Sequence, residues 1–266
     1  MSAHVPMLFV TWQAPESRRI FPVARVMRLP DGRYEWAYLR AVSEAREHGF
    51  AGLPGHEALD QVSVTPELPA LFAHRLPPRG QRRPTGAAPA NDRFDPAPIT
   101  LLVPSGPGTN ERLEVFAPPL PASSGKAFGA FVARGIGRIP GSEAAIESLA
   151  PRTPLALRAE PDNAYNPRAV LLLHAGTPIG HVPDYLANEL AEALGAGSGR
   201  SDVVAQRAVA DALRVQVSSS ERINHPPAAP IYNVLCGYEC NAALGTRLFR
   251  SARYEPLAAK AFQLRD

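Results

Sequence analysis

Apolar residues in the first forty positions fall into short blocks separated by turn formers. MLFVTW (7–12), RIFPVARVMRL (19–29) and RYEWAYL (33–39) are rich in branched and aromatic side chains and predict three strands. Asp31-Gly32, between the second and third blocks, is a tight hairpin turn. A helix is expected over 38–48, stopped by Gly49 with Phe50 as the apolar residue beyond it. Thr65 as N-cap, Pro66 at the first helical position and Glu67 predict a second helix running through LPALFAHRL.

The pattern then dissolves. PPRGQRRPTGAAPANDRFDPAP and VPSGPGTN, within 77–110, carry neither a helical nor a strand period and read as a linker or extended wrap. Arg75, Arg79, Arg82, Arg83 and Arg93 give the segment a basic bias. Order returns at 126. KAFGAFVARGIGRIP predicts a strand with a glycine-rich bend, SEAAIESL a short helix opened by Ser142, and PLALRAE and AVLLLH two strands. Ala175-Gly176 turns the chain into IGHVP. PDYLANELAEALG is the clearest helix, with Leu186, Leu190 and Leu194 at intervals of four and a stop at Gly195. After the break GAGSGRSD, ALRVQVSSS and IYNVLCGYEC predict two more strands, parted by NHPPAAP.

These elements predict an α+β protein: a small N-terminal α+β module over 1–76, a Pro/Gly/Arg-rich connection over 77–125, and a small β-barrel over 126–245. A tail over 246–266 follows. About five short strands around one main helix suit an SH3-like or OB-like barrel better than a βαβ sheet.

Composition changes the picture in two places. The 29 prolines and 20 glycines make up about 18% of the chain, against roughly 12% on average, which favours short elements over long helices. A formal net charge of +3 and a pI near 9.1 are compatible with a polyanionic partner without demanding one. No segment has the order of a signal peptide or the length of a membrane span, so a cytoplasmic setting is expected. Cys236 and Cys240 lie four apart in a strand, about 13 Å from one another, too far for a disulfide. Packed, reduced thiols are the expectation, and two thiols without a second ligand pair make a weak zinc site.

Residues 160–170, EPDNAYNPRAV, stand directly before an apolar strand. Asp162, Asn163 and Pro167 are explained by turn chemistry; Tyr165 is not. EPDNAYNPRAV followed by IGHVPDYLANELAEAL resembles the HIRAN domain in its Pro/Asn turn, apolar strand, G-x-V-P turn and L-A helix. The resemblance covers roughly 126–220. It implies a small barrel that captures the free 3′ end of single-stranded DNA, found in helicase-like proteins and, in bacteria, without a helicase. The N-terminal half looks like the region that precedes HIRAN in such bacterial proteins.

Carried over by residue, the resemblance implies that Tyr165 stacks on the terminal base, Asn166 takes the 3′-hydroxyl and His181 lines the site. Arg138, Arg168 and Arg134 are the candidate phosphate contacts. Three positions depart from the family. Asn166 stands for an aspartate, Gly137 and Arg138 for an arginine and an aromatic, and Asp184 for a lysine. The expected activity is non-catalytic binding of single-stranded DNA or its 3′ end, with no cofactor and no metal. A protein partner of the N-terminal module is a further expectation. The rival reading is an interaction adaptor whose barrel groove takes a peptide or its own N-terminal module. PASSGKAF (121–128) lacks the leading glycine and the Ser/Thr of a phosphate loop, and no hydrolase elbow or zinc-protease helix occurs.

Overall fold

The computed structural model describes residues 7–53, 55–68, 113–195, 203–223 and 231–258. The chain divides into two compact units. The first gathers residues from 1–81, 99–118 and 249–266, and the second includes 119–248.

The first unit is built on a five-stranded antiparallel sheet: β1 (Met7–Gln13), β2 (Ile20–Arg28), β3 (Tyr34–Tyr38), β4 (Ser63–Thr65) and β5 (Leu113–Phe116), in the order β4-β3-β2-β1-β5. Helix α1 (Val42–Glu47) packs against β2. It starts four residues later than the sequence suggests, because Leu39 extends the β-structure through a bridge to Pro256. Gly49 ends the run at φ 91° and Phe50 is buried beyond it, as the sequence predicts. Leu8, Val10, Phe21, Val23, Trp36, Val42 and Phe50 form the main core. Thr65 closes β4, donating from Oγ1 to the Glu67 carbonyl; the helix expected after it lies, from residue 69, outside the described residues.

Strand β5 comes from the stretch read as connection. Its register with β1 sets Phe116 beside Phe9, and their rings meet at 5.5 Å. Phe249 and Tyr254, from the expected tail, complete this cluster at 4.9 Å from Phe116 and 5.0 Å from Phe9.

The second unit holds a seven-stranded antiparallel sheet in the order β10-β9-β8-β11-β12-β7-β6. Its strands are β6 (Leu120–Pro121), β7 (Lys126–Val132), β8 (Pro154–Glu160), β9 (Ala169–His174), β10 (Thr177–His181), β11 (Arg214–Ile223) and β12 (Ile231–Asn241). Among the described residues, four helices accompany them: α2 (Glu143–Glu147), α3 (Asp184–Ala193), α4 (Val203–Asp211) and α5 (Ala242–Gly245). The mixture of two antiparallel sheets with few helices is the α+β class expected. Among the described residues, no continuous ladder closes the second sheet. One bridge does return it on itself: Arg134, just after β7, exchanges backbone bonds of 2.9 and 2.8 Å with His181 at the end of β10.

That bridge explains a glycine. A Cβ on Gly180 would lie 2.6 Å from Ile136 Cδ1 and 2.7 Å from the Arg134 carbonyl oxygen. Only a residue without a side chain lets the Arg134 carbonyl and the Ile136 side chain approach β10 so closely. The single main helix of the sequence reading is α3, with Leu186 and Leu190 buried. Helix α4, which packs on β8, was not anticipated. Cys236 and Cys240 are free and buried in β12, and burial pushes the Cys240 thiol up to about 11.

Candidate nucleic-acid interface

The turn between β8 and β9 is organised by Asn163. Its Oδ1 accepts the backbone N–H groups of Tyr165 (3.0 Å) and Asn166 (3.2 Å), and its Nδ2 donates to Glu160 Oε2 (3.1 Å). The Asn163 backbone N–H bonds the Glu160 carbonyl at 3.0 Å. This is an Asx turn locked at both ends of one side chain. Tyr165 rides on it with 92% of its surface exposed, whereas Tyr185 and Tyr238 in the same unit are buried. Its ring therefore contributes nothing to packing.

Asn166 is more committed than its expected role allows. Its Oδ1 accepts the Arg168 backbone N–H (2.9 Å), and its Nδ2 donates to Asp184 Oδ1 (2.9 Å) at the start of α3. The amide thus shapes its own turn and ties that turn to a helix. A carbonyl oxygen has two lone pairs, so one acceptor site remains. Asp184 does not cap its helix; Pro183 holds the N-cap position. Its carboxylate is instead the partner of Asn166.

His181 is half-buried, with Nε2 2.8 Å from Glu160 Oε2. A carboxylate can only accept, so Nε2 carries the proton in this contact. Glu160 therefore joins His181 to Asn163, a link that 21 residues of separation hid from the sequence. The arginines differ. Arg138 is exposed, Arg168 lies 3.5 Å from Glu192, and Arg134 is half-buried with its backbone spent on the bridge to His181. The structure thus gathers Tyr165, Asn166 and Arg168 on one turn and Arg134 with His181 at one bridge; Glu160 and Asn163 connect the two groups.

Among the described residues, no three His, Cys, Asp or Glu side chains are arranged to hold a metal ion, and no helix is long and apolar enough to cross a membrane.

The second unit thus combines an antiparallel sheet, returned on itself by one bridge, with an exposed tyrosine on a hydrogen-bonded turn. Residues 128–221 match the family model of the HIRAN domain, and the second unit carries that domain. HIRAN domains are associated with nucleic-acid binding, including DNA binding. No curated protein and no solved structure matches the chain.

Proposed function

We propose that the HIRAN domain of this protein binds single-stranded DNA non-catalytically, at or near a free 3′ end. The exposure of Tyr165 on a turn already rigid through Asn163 carries this reading. With the Tyr165 backbone held before the ligand arrives, only the side-chain torsions are left to order on binding, so most of the stacking worth about 1–3 kcal/mol per base is retained. Asn166 offers its remaining lone pair to the terminal hydroxyl, and His181 lines the site. The guanidinium groups of Arg138, Arg168 and Arg134 serve the phosphates.

Fluorescence anisotropy with 5′-labelled oligonucleotides ending in a 3′-hydroxyl or a 3′-phosphate, over a salt series, tests the proposal. Tyr165→Ala should weaken binding roughly 5- to 150-fold, while Tyr165→Phe keeps most of the affinity. Oligonucleotide incubated with magnesium should be recovered intact. Unchanged binding by Tyr165→Ala would end the assignment.

A further inference from the structure

The Tyr165 turn begins at Pro161, and Pro161 also lines the end of a groove between β8 and α4. This groove, about 370 Å³, is walled by Leu157, Arg158 and Ala159 on the strand and by Arg207, Ala210 and Asp211 on the helix. Asp211 also belongs to a second, larger groove of about 620 Å³, whose cations are Lys126, Arg214 and Arg247 and whose other carboxylate is Glu239. The two depressions therefore adjoin at Asp211, the first beside the turn and the second at the C-terminal end of α4.

Charge along the two depressions is uneven. Five cations face two carboxylates, so the grooves hold as much net positive charge as the entire chain of formal charge +3. Lys126 and Glu239 neutralise each other at 3.1 Å, and Arg247 donates to the Ala193 carbonyl. Arg158, Arg207 and Arg214 are exposed and have no carboxylate partner among the described residues. Elsewhere in this unit Arg222 pairs with Glu147 and Arg168 with Glu192. A row of unneutralised arginines over an apolar floor of leucine and alanine matches a polyanion that also has apolar faces.

We infer that the β8–α4 groove is a second subsite for single-stranded nucleic acid, in which Arg158, Arg207 and then Arg214 track the phosphates of nucleotides beyond the one stacked on Tyr165. This rests on the function proposed above and extends it from one nucleotide to a strand. Phosphate contacts add affinity without reading sequence, and each raises the salt dependence of binding.

Oligodeoxythymidylates of three and twelve nucleotides, labelled at the 5′ end and titrated into the full chain, separate the two ideas. Arg158→Gln with Arg207→Gln should weaken the 12-mer on the order of tenfold. The slope of log affinity against log salt should fall by about 1.4, and the 3-mer should bind as before. Tyr165→Ala should weaken both lengths. Asp211→Lys removes a carboxylate from the path and puts a cation at the C-terminal end of α4, where the helix dipole favours it; it should tighten the 12-mer several-fold. If the double variant keeps the wild-type slope and Asp211→Lys changes nothing while Tyr165→Ala still matters, the groove is not the path and the turn assignment stands. If the wild-type chain binds neither length, both fall.

Discussion

Asn163 makes more of the turn's bonds than either residue that follows it. Two backbone N–H groups depend on its Oδ1 and one carboxylate on its Nδ2. Turn-forming asparagine was legible in the sequence, because the side chain reaches N–H groups two and three residues ahead. What the letters could not show is that the same amide would meet a glutamate already paired with His181. Asn163→Ala should cost about 1–2 kcal/mol of stability, since the lost bonds lie at a half-exposed site. It should also lower oligonucleotide affinity by releasing the Tyr165 backbone, with the ring itself untouched. Thermal denaturation measures the first effect and anisotropy the second. Wild-type affinity in this variant would mean that the turn's rigidity plays no part in binding.

At the scale of elements, the β8–β9 turn and α3 are joined through Asn166 and Asp184, two positions where the sequence is expected to depart from the family. With asparagine at 166, the residue at 184 can be an aspartate, and amide and carboxylate meet at 2.9 Å. Neither letter is interpretable alone in the sequence: Asn166 reads as a hydroxyl acceptor and Asp184 as an isolated carboxylate, but together they are a contact between elements 18 residues apart. The pairing fixes how a test must be designed. Asn166→Asp alone sets two carboxylates against each other and should destabilise the domain by about 1–2 kcal/mol. Adding Asp184→Asn reverses the polarity of the same bond and should recover most of that loss. The double-mutant cycle then reports a coupling energy. The double variant also returns a charge to position 166, and it should prefer a 3′-hydroxyl over a 3′-phosphate more strongly than wild type does, through repulsion of the phosphate. Gly180 teaches the same lesson about legibility. The G-x-V-P letters marked a turn, but the reason for glycine is the Arg134 carbonyl and the Ile136 side chain packed directly over it, which only the tertiary fold supplies.

Across the whole molecule, local patterns located most strands, because alternation and turn chemistry act over a few residues. They did not reveal which segments share a core. Leu113–Phe116 carried no strand signal strong enough to stand out from its proline-rich surroundings, yet register with β1 buries it. Phe249 and Tyr254 looked like a tail, and both are buried in the first unit. Such long-range closure is set by ring-to-ring complementarity, not by sequence period. It is also measurable, because both tryptophans of the chain, Trp12 and Trp36, lie in the first unit. Tryptophan fluorescence therefore reports that unit's unfolding and not that of the HIRAN domain. Phe249 sits 4.9 Å from Phe116, 5.2 Å from Tyr254 and 6.0 Å from Phe9, so removing its ring opens a cavity among three aromatics. Phe249→Ala should destabilise the first unit by about 3–5 kcal/mol. The urea midpoint seen by tryptophan emission should drop, while oligonucleotide titrated below that midpoint binds with the wild-type Kd. A tryptophan transition that stays in place would show that residues after 248 do not belong to the first unit's core.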